Sequence, residues 1–474
     1  MATASFGFLA LAALAAVLHN LWSNRLWRDA TFFLVNVVFL ASFSTSPVAF
    51  VPLAAFLAAG YLAIQISRTR PSGVAFGLLV VATVAAFAWL KKYWIFAPIG
   101  FIQTAYLTLG LSYIFFRVLH LVIDAREGSI ERPLGVLSYL NYTLNFATLV
   151  AGPIQRYQDF AQPRRRLTII AAGRAIERVV IGLFKVLVLA MIVSTVQTQA
   201  TTDLSGDLAL PDRIGTGLVS IGLYPIYLYF NFSGYTDIVI GVARFIGLEL
   251  PENFDRPFSS LNFMEFWTRW HMTLSNWFKA YVYTPLIMAL MSRFSSPRLD
   301  LAIGTVTFFI TFFLIGLWHG QTFSFVVYGL LLGLGVSVNK IYQTMLARRL
   351  GRKRWKALAA HPLYQACARG LTYTWYAATI LCFWASGDEA LRILEALGPS
   401  GIIGGFIALF IASTLVLGLY EAARNRVLAV SWHDAPLILS RHLRTVWATT
   451  LAFVAAASVL LAATPAPDIV YKAF

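Results

Sequence analysis

The chain has 474 residues; 59% are hydrophobic and only 12% are charged, and its mean hydropathy is +0.71. An ordinary soluble domain carries roughly 25% charged residues, so the composition excludes a string of soluble domains and predicts one integral membrane domain over residues 1–474. The formal net charge of +16 does not indicate nucleic acid, because the basic residues gather between apolar runs and form no stripe interleaved with stacking aromatics.

A spanning helix needs about 20 apolar residues. It must be a helix, because lipid offers no water to the open edges of a sheet. Apolar runs predict helices at 5–22, 31–46, 48–66, 73–90, 104–123, 134–152, 176–197, 214–231, 235–249, 301–318, 322–340, 371–386, 402–420 and 446–464. Several are short, so about 11–13 spans are expected, with re-entrant or interfacial pieces among them. The fold class is all-α: N-terminal spans over 1–103, a core over 104–345 and C-terminal spans over 346–474. The N-terminus lacks a basic n-region and reads as an uncleaved first helix.

Charge in the connecting segments sets orientation. Segments 67–70, 156–178, 343–370 and 421–445 are basic and read as cytoplasmic loops. Segments 198–213 and 387–400 are acidic and read as outward loops. Lys91 and Lys92 fit this alternation poorly. Cys367 and Cys382 form no CxxC motif and read as small apolar residues.

Segment 250–300 is too charged to cross lipid freely, yet its aromatics are helically spaced. At about 100° per residue, Phe263, Phe266, Trp267, Trp270, Leu274, Trp277, Phe278 and Tyr281 share one arc. Glu265, Arg269, Met272, Asn276 and Lys279 lie opposite. This predicts a helix over 262–283, flanked by bends at Pro251, Pro257, Pro285 and Pro297, with His271 at the seam between its faces. Further on, no Asp, Glu, Lys or Arg occurs between Asp300 and Lys340. His319 lies in that run between Gly316 and Gly320, where a helix break is expected.

Ionisable residues in apolar membrane sequence are costly and mark function. A desolvated histidine is held neutral, as a general base must be. His319 and His271 are therefore the candidate catalytic pair for acyl transfer to a hydroxyl, and Asn276 is a candidate donor to the oxyanion. Two histidines are too few for a zinc site, so no metal is expected. A second reading is a proton-coupled transporter using Asp237, paired to Arg244, with Glu265 as a further carboxylate. A third is a non-catalytic scaffold for an extracytoplasmic transferase. Neither a GxSxG elbow nor a P-loop is present.

The run LELPENFDRPFSSLNFMEFWTRWHMTLSNWFKAYVYTPL, followed by GLWHG, resembles the membrane-bound O-acyltransferase superfamily. Within it the chain is most similar to the bacterial branch of alginate O-acetylation and teichoic-acid D-alanylation proteins. ATLVAGPIQRYQDF (147–160), FNFSGYTDIVIG (230–241) and the closing IVYKAF support this. The resemblance implies a helix bundle ringed around a central tunnel in the bacterial cytoplasmic (inner) membrane. It places the catalytic histidine at His319 and the second motif histidine at His271. Trp267, Arg269, Trp270, Trp318, Asn276, Tyr235 and Asp237 are weaker candidates for shaping the pocket. No bound cofactor is implied. The acyl group, most fittingly acetyl, would come from a cytoplasmic thioester, acetyl-CoA or an acyl carrier, or would be D-alanyl in the other relatives. A separate extracytoplasmic partner, of SGNH type, would complete the modification of a polysaccharide. After YTPL the chain reads IMALMSRFSSPRLD and lacks the Gly-rich, Arg-containing loop common in alginate-type relatives, which leaves the acceptor open.

Overall fold

A computed structural model of the chain describes residues 5–130, 133–165, 167–204, 206–429, 431–432, 435–436 and 440–461. The closing IVYKAF lies outside them. The described residues are helical almost throughout; Ser431–Trp432 pairs with Ala435–Pro436 as a two-stranded ribbon, and Phe254 and Trp270 form an isolated bridge. Six helices among them are long and apolar enough to cross a membrane: Pro47–Arg68, Gly73–Leu90, Ile169–Asp203, Asp300–Trp318, Phe323–Ala360 and Gly387–Leu428. Phe6–Leu21 is apolar but shorter. The chain is therefore a multi-pass membrane protein.

It folds as two compact units, one built from Met1–Leu183 and Gly234–Pro251, the other from Phe184–Ser233 and Glu252–Pro467. In the first, small residues let helices meet. A Cβ on Gly60 would stand 2.6 Å from a Val118 methyl, so the Pro47–Arg68 helix lies close against Leu111–Glu127. Phe39 packs edge to face on both Phe8 and Phe146. In the second unit, the hairpin of Asp300–Trp318 and Phe323–Ala360 pairs with the hairpin of Pro362–Trp384 and Gly387–Leu428. Gly370 lies against Thr414, and the Ser413 hydroxyl donates to the Gly370 carbonyl at 3.1 Å.

Several expectations are corrected. The predicted span 134–152 is a helix only over Val136–Thr143, after which the buried backbone turns irregular through 156. The cause is Arg117, 2% exposed. Its guanidinium donates to the carbonyls of Tyr142 (3.2 Å), Thr143 (2.8 Å) and Thr148 (2.8 Å), and to the Thr148 hydroxyl. These carbonyls have a partner outside the helix and do not need its next turn. The predicted pair 214–231 and 235–249 is one helix, Leu210–Phe245. Gly234 does not break it; the Ile169–Phe184 helix comes close here because it carries Gly182, whose Cβ would stand 2.6 Å from the Gly234 carbonyl.

The predicted loops 343–370 and 387–400 are mostly helical. Phe323–Ala360 carries the basic stretch with a kink at Gly351 (φ 73°), and Gly387–Leu428 begins at the acidic one with a break at Gly398 (φ 62°). Both glycines take the left-handed conformation that side chains avoid. Lys91 is buried at the end of Gly73–Leu90, and Lys92 sits over the Tyr106 ring at 5.3 Å. Cys367 and Cys382 are free and half-buried.

The Arg117 network predicts that Arg117→Ala strands buried carbonyls and costs about 3 kcal/mol or more of stability. Arg117→Lys should recover only part, since an ammonium cannot fork to several carbonyls. Thermal unfolding of purified variants in detergent measures both; an unchanged Arg117→Ala would contradict this reading.

Candidate active site

The sequence from Asn253 to Tyr283 forms no single helix. Asn262 caps the start of helix Phe263–Trp267, its side chain accepting from the Glu265 N–H, and the helix ends at Thr268. A second helix begins at Met272 and runs to Phe278, continues as a π-turn over Lys279–Tyr283, and goes on as Thr284–Arg293. The expected seam position of His271 therefore does not exist. His271 is instead the N-cap of the second helix, in left-handed backbone (φ 44°, ψ 51°), a strained state for a residue with a Cβ.

What holds the break is an extended segment. Phe254 pairs with Trp270 in an antiparallel bridge. The Asp255 N–H donates to the Arg269 carbonyl (3.0 Å), and the Met272 N–H donates to the Asn253 carbonyl (2.9 Å). Trp270 is held between Phe266, stacked at 5.5 Å, and Phe254, edge-on at 5.1 Å. Pro285 does not bend the chain. The π-turn lies just ahead of it, where the N–H that proline lacks is not called for.

His271 is 1% exposed. Its Nδ1 lies 3.1 Å from the Asn253 Oδ1. That oxygen also accepts from the Thr273 N–H (3.2 Å) and hydroxyl (2.9 Å). An amide oxygen only accepts, so Nδ1 of His271 carries the proton and Nε2 the lone pair. Phe232 sits edge-on over the ring at 4.9 Å.

His319 lies just past the Asp300–Trp318 helix, as the glycines predict. Thr307 and Thr311 in that helix return their hydroxyls to the carbonyls of Ile303 and Thr307, each at 2.7 Å, which makes them tolerable in an apolar setting. His319 is 5% exposed. Its Nδ1 stands 2.6 Å from the Ile315 carbonyl. A carbonyl cannot donate, so here too Nδ1–H is the donor and Nε2 bears the lone pair. Trp318 (4.8 Å), Phe383 (5.4 Å) and Tyr328 (5.6 Å) wall the ring edge to face. The two imidazoles are near enough that charge on His319 acts on His271.

Close approach of two helices fixes the place of His319. A Cβ on Gly316 would stand 2.2 Å from the Gly329 Cα, and one on Gly320 would stand 2.1 Å from the Phe325 ring. Trp267 packs edge-on to Phe312, on the helix that ends at His319, at 5.4 Å. Tyr376 touches Phe266, Trp267 and Trp270 at 4.5, 6.3 and 5.2 Å.

The remaining sequence candidates fall elsewhere. Arg269 is ion-paired to Glu265 (3.0 Å) and Asp255 (3.4 Å) and braces the turn before His271. Asn276 is exposed. Tyr235 and Asp237 belong to the other compact unit. There the Tyr235 hydroxyl accepts from the Ala151 N–H at 3.3 Å, and Asp237 pairs with Arg178 at 3.0 Å. The expected partner Arg244 is thereby corrected: the Ile169–Phe184 helix brings Arg178 to Asp237 from outside its own helix. Among the described residues no group of three or more His, Cys, Asp or Glu could hold a metal ion. Sequence reasoning missed Asn253, fully buried, which sets the His271 tautomer. Its signal was a polar residue between Pro251 and Phe254 in the same motif stretch.

The family model for the membrane-bound O-acyltransferase family matches residues 2–383. Among curated proteins, the chain is 30% identical over 289 residues to the teichoic acid D-alanyltransferase of Bacillus subtilis, covering 58% of this chain and 69% of that protein. It is 28% identical over 246 residues to the probable alginate O-acetylase AlgI of Pseudomonas aeruginosa, covering 52% of this chain and 45% of that one. It is 33% identical over 213 residues to the peptidoglycan O-acetyltransferase of Helicobacter pylori, covering 44% and 38%. The chain thus spans about half or less of the length of these last two.

The Gly316 crossing yields a direct test. Gly316→Ala should force the two helices apart and lower stability by about 2 kcal/mol, read as a lower Tm in detergent. Gly304→Ala in the same helix, whose Cβ would meet nothing within 4 Å, should leave Tm unchanged or raise it. Equal Tm values for the two variants would refute the close crossing.

Proposed function

The chain belongs to the membrane-bound O-acyltransferase family, and from that premise we propose that it moves an acetyl group from a cytoplasmic thioester to a hydroxyl acceptor, for modification of an extracytoplasmic polysaccharide. The observation that carries this is the Nδ1–H bond of His319 to the Ile315 carbonyl, which turns the basic Nε2 lone pair away from its own helix. Nε2 takes the proton as the acceptor oxygen attacks the thioester carbonyl carbon. The C–S bond then breaks, and the proton passes from the imidazolium to the leaving thiolate. His271, held in the same tautomer by Asn253, assists by ordering groups at the reacting centre. Acetyl-CoA or an acyl carrier supplies the thioester. A partner of SGNH type hands the group on to the polymer, outside the bacterial cytoplasmic membrane that holds the chain.

Acetyl is favoured by the wall about His319. Trp318, Tyr328 and Phe383 suit a methyl group better than the ammonium of an aminoacyl donor, which has to be desolvated. D-alanyl transfer is the second reading, favoured by the likeness to the Bacillus subtilis protein over 69% of its length.

The test is a strain carrying His319→Ala at normal protein level. Base-labile ester released from its envelope polymer should fall at least about a hundredfold, the low end of what a positioned general base contributes. Chromatography of the released acid identifies the group: acetate supports the first reading and D-alanine the second. Ester retained at the parental level would remove His319 from the chemistry.

A further inference from the structure

Three buried nitrogen donors from separate segments converge in the first unit, away from the histidine pair. His19, in the last turn of Phe6–Leu21, is 4% exposed. Neither of its ring nitrogens makes a hydrogen bond of ordinary geometry, although the Arg28 backbone lies beside it. Arg28 Nε and Arg164 Nη1 are likewise buried and without a partner. The three meet through the chain's own contacts. Trp27 donates Nε1–H to the Leu18 carbonyl at 2.7 Å, which sets the start of Arg25–Ala41 beside His19. Arg164 lies over the Phe32 ring at 5.5 Å, and Phe32 is one turn beyond Arg28 on the same helix face. Both guanidinium charges act on His19. The facing carboxylate, Asp29, is within 3.6 Å of Arg25 and its charge also acts on Arg164, one negative charge against the positive charges of Arg25, Arg28 and Arg164. The neighbouring Arg165 is paired with Glu249 at 3.0 Å. The cluster therefore keeps a surplus of positive charge.

An apolar groove of about 320 Å³ runs along the same helix as His19, lined by Leu9, Ala12, Ala16, Val180, Val242 and Phe245 among others. Ala12, Ala16 and His19 share one face of their helix. At the groove's end the Phe245 carbonyl accepts from Asn20 Nδ2 at 2.8 Å, next to His19. At its rim Ile176 is 56% exposed, so the groove is open along the flank of two apolar helices.

We propose that this is a binding site for an anionic phospholipid, with an acyl chain in the groove and the phosphodiester on His19, Arg28 and Arg164. Guanidinium groups match the oxygens of a phosphate in pairs, and buried donors are costly while unmade. A free phosphate would use the cluster but leave the groove without purpose. The lipid uses both.

Native mass spectrometry of the full chain in detergent tests this, with phosphatidylglycerol, dioleoylglycerol and inorganic phosphate added in turn. Wild type should retain one tightly held phosphatidylglycerol. The double variant Arg28→Gln, Arg164→Gln should hold it about a hundredfold more weakly, roughly tenfold for each charged hydrogen-bonding partner removed. Ala16→Phe fills the groove with every charge in place and should also lose the lipid. It carries the test alone if the double variant does not fold. Dioleoylglycerol should not be retained, and millimolar phosphate should not displace the lipid. Equal retention by wild type and Ala16→Phe would overturn the site, and displacement by phosphate would overturn the lipid as its occupant.

Discussion

Backbone groups inside an apolar chain must be bonded wherever a helix stops, and buried polar side chains meet that demand at three of its irregular points. Arg117 takes the carbonyls released where Val136–Thr143 ends. The Asn253 side-chain oxygen takes the Thr273 N–H at the break before Met272, beside the backbone bonds of the extended segment 253–255. The His319 ring accompanies the end of Asp300–Trp318 and donates to the carbonyl of Ile315. Polar chemistry in this molecule is concentrated where helical bonding fails, and the candidate active site uses two of these places.

That constraint also fixes the state of the two imidazoles. Each is bonded through Nδ1 to an oxygen that can only accept, and each is almost completely enclosed. Burial penalises a charged ring, while the Nδ1 bond decides which nitrogen keeps the lone pair. The tautomer follows from where the helices end. The helix ends follow in turn from the glycines of the 316–329 crossing and from the extended pairing of Phe254 with Trp270.

Much of this was legible in the sequence. The all-α membrane class followed from composition, and the helices 73–90 and 301–318 agree with the structure to within a residue or so because charge or proline brackets them. His319 at a glycine-flanked helix end was legible too, since no charge interrupts the run around it. The break before His271 was not. Phe266, Trp267 and Trp270 all pack on Tyr376, and Phe263 on Phe266 and Trp267, so their spacing imitates one continuous helix. The strand-like pairing that interrupts it comes from residues 253–255, and periodicity inside 262–283 carries no trace of that. Arg117 is similar: a lone arginine in an apolar helix reads as a costly residue until the carbonyls that surround it are known. Asp237 was misassigned to Arg244 because sequence offers neighbours on one helix, whereas Arg178 arrives from another.

General-base chemistry at His319 depends on its tautomer, and nitrogen NMR reads it directly. In histidine-labelled protein in lipid at about pH 7, where an unperturbed imidazole is already mostly neutral, the His319 signals should show a protonated Nδ1 and an unprotonated Nε2. A ring protonated at Nε2, or at both nitrogens, would contradict the role given to that lone pair.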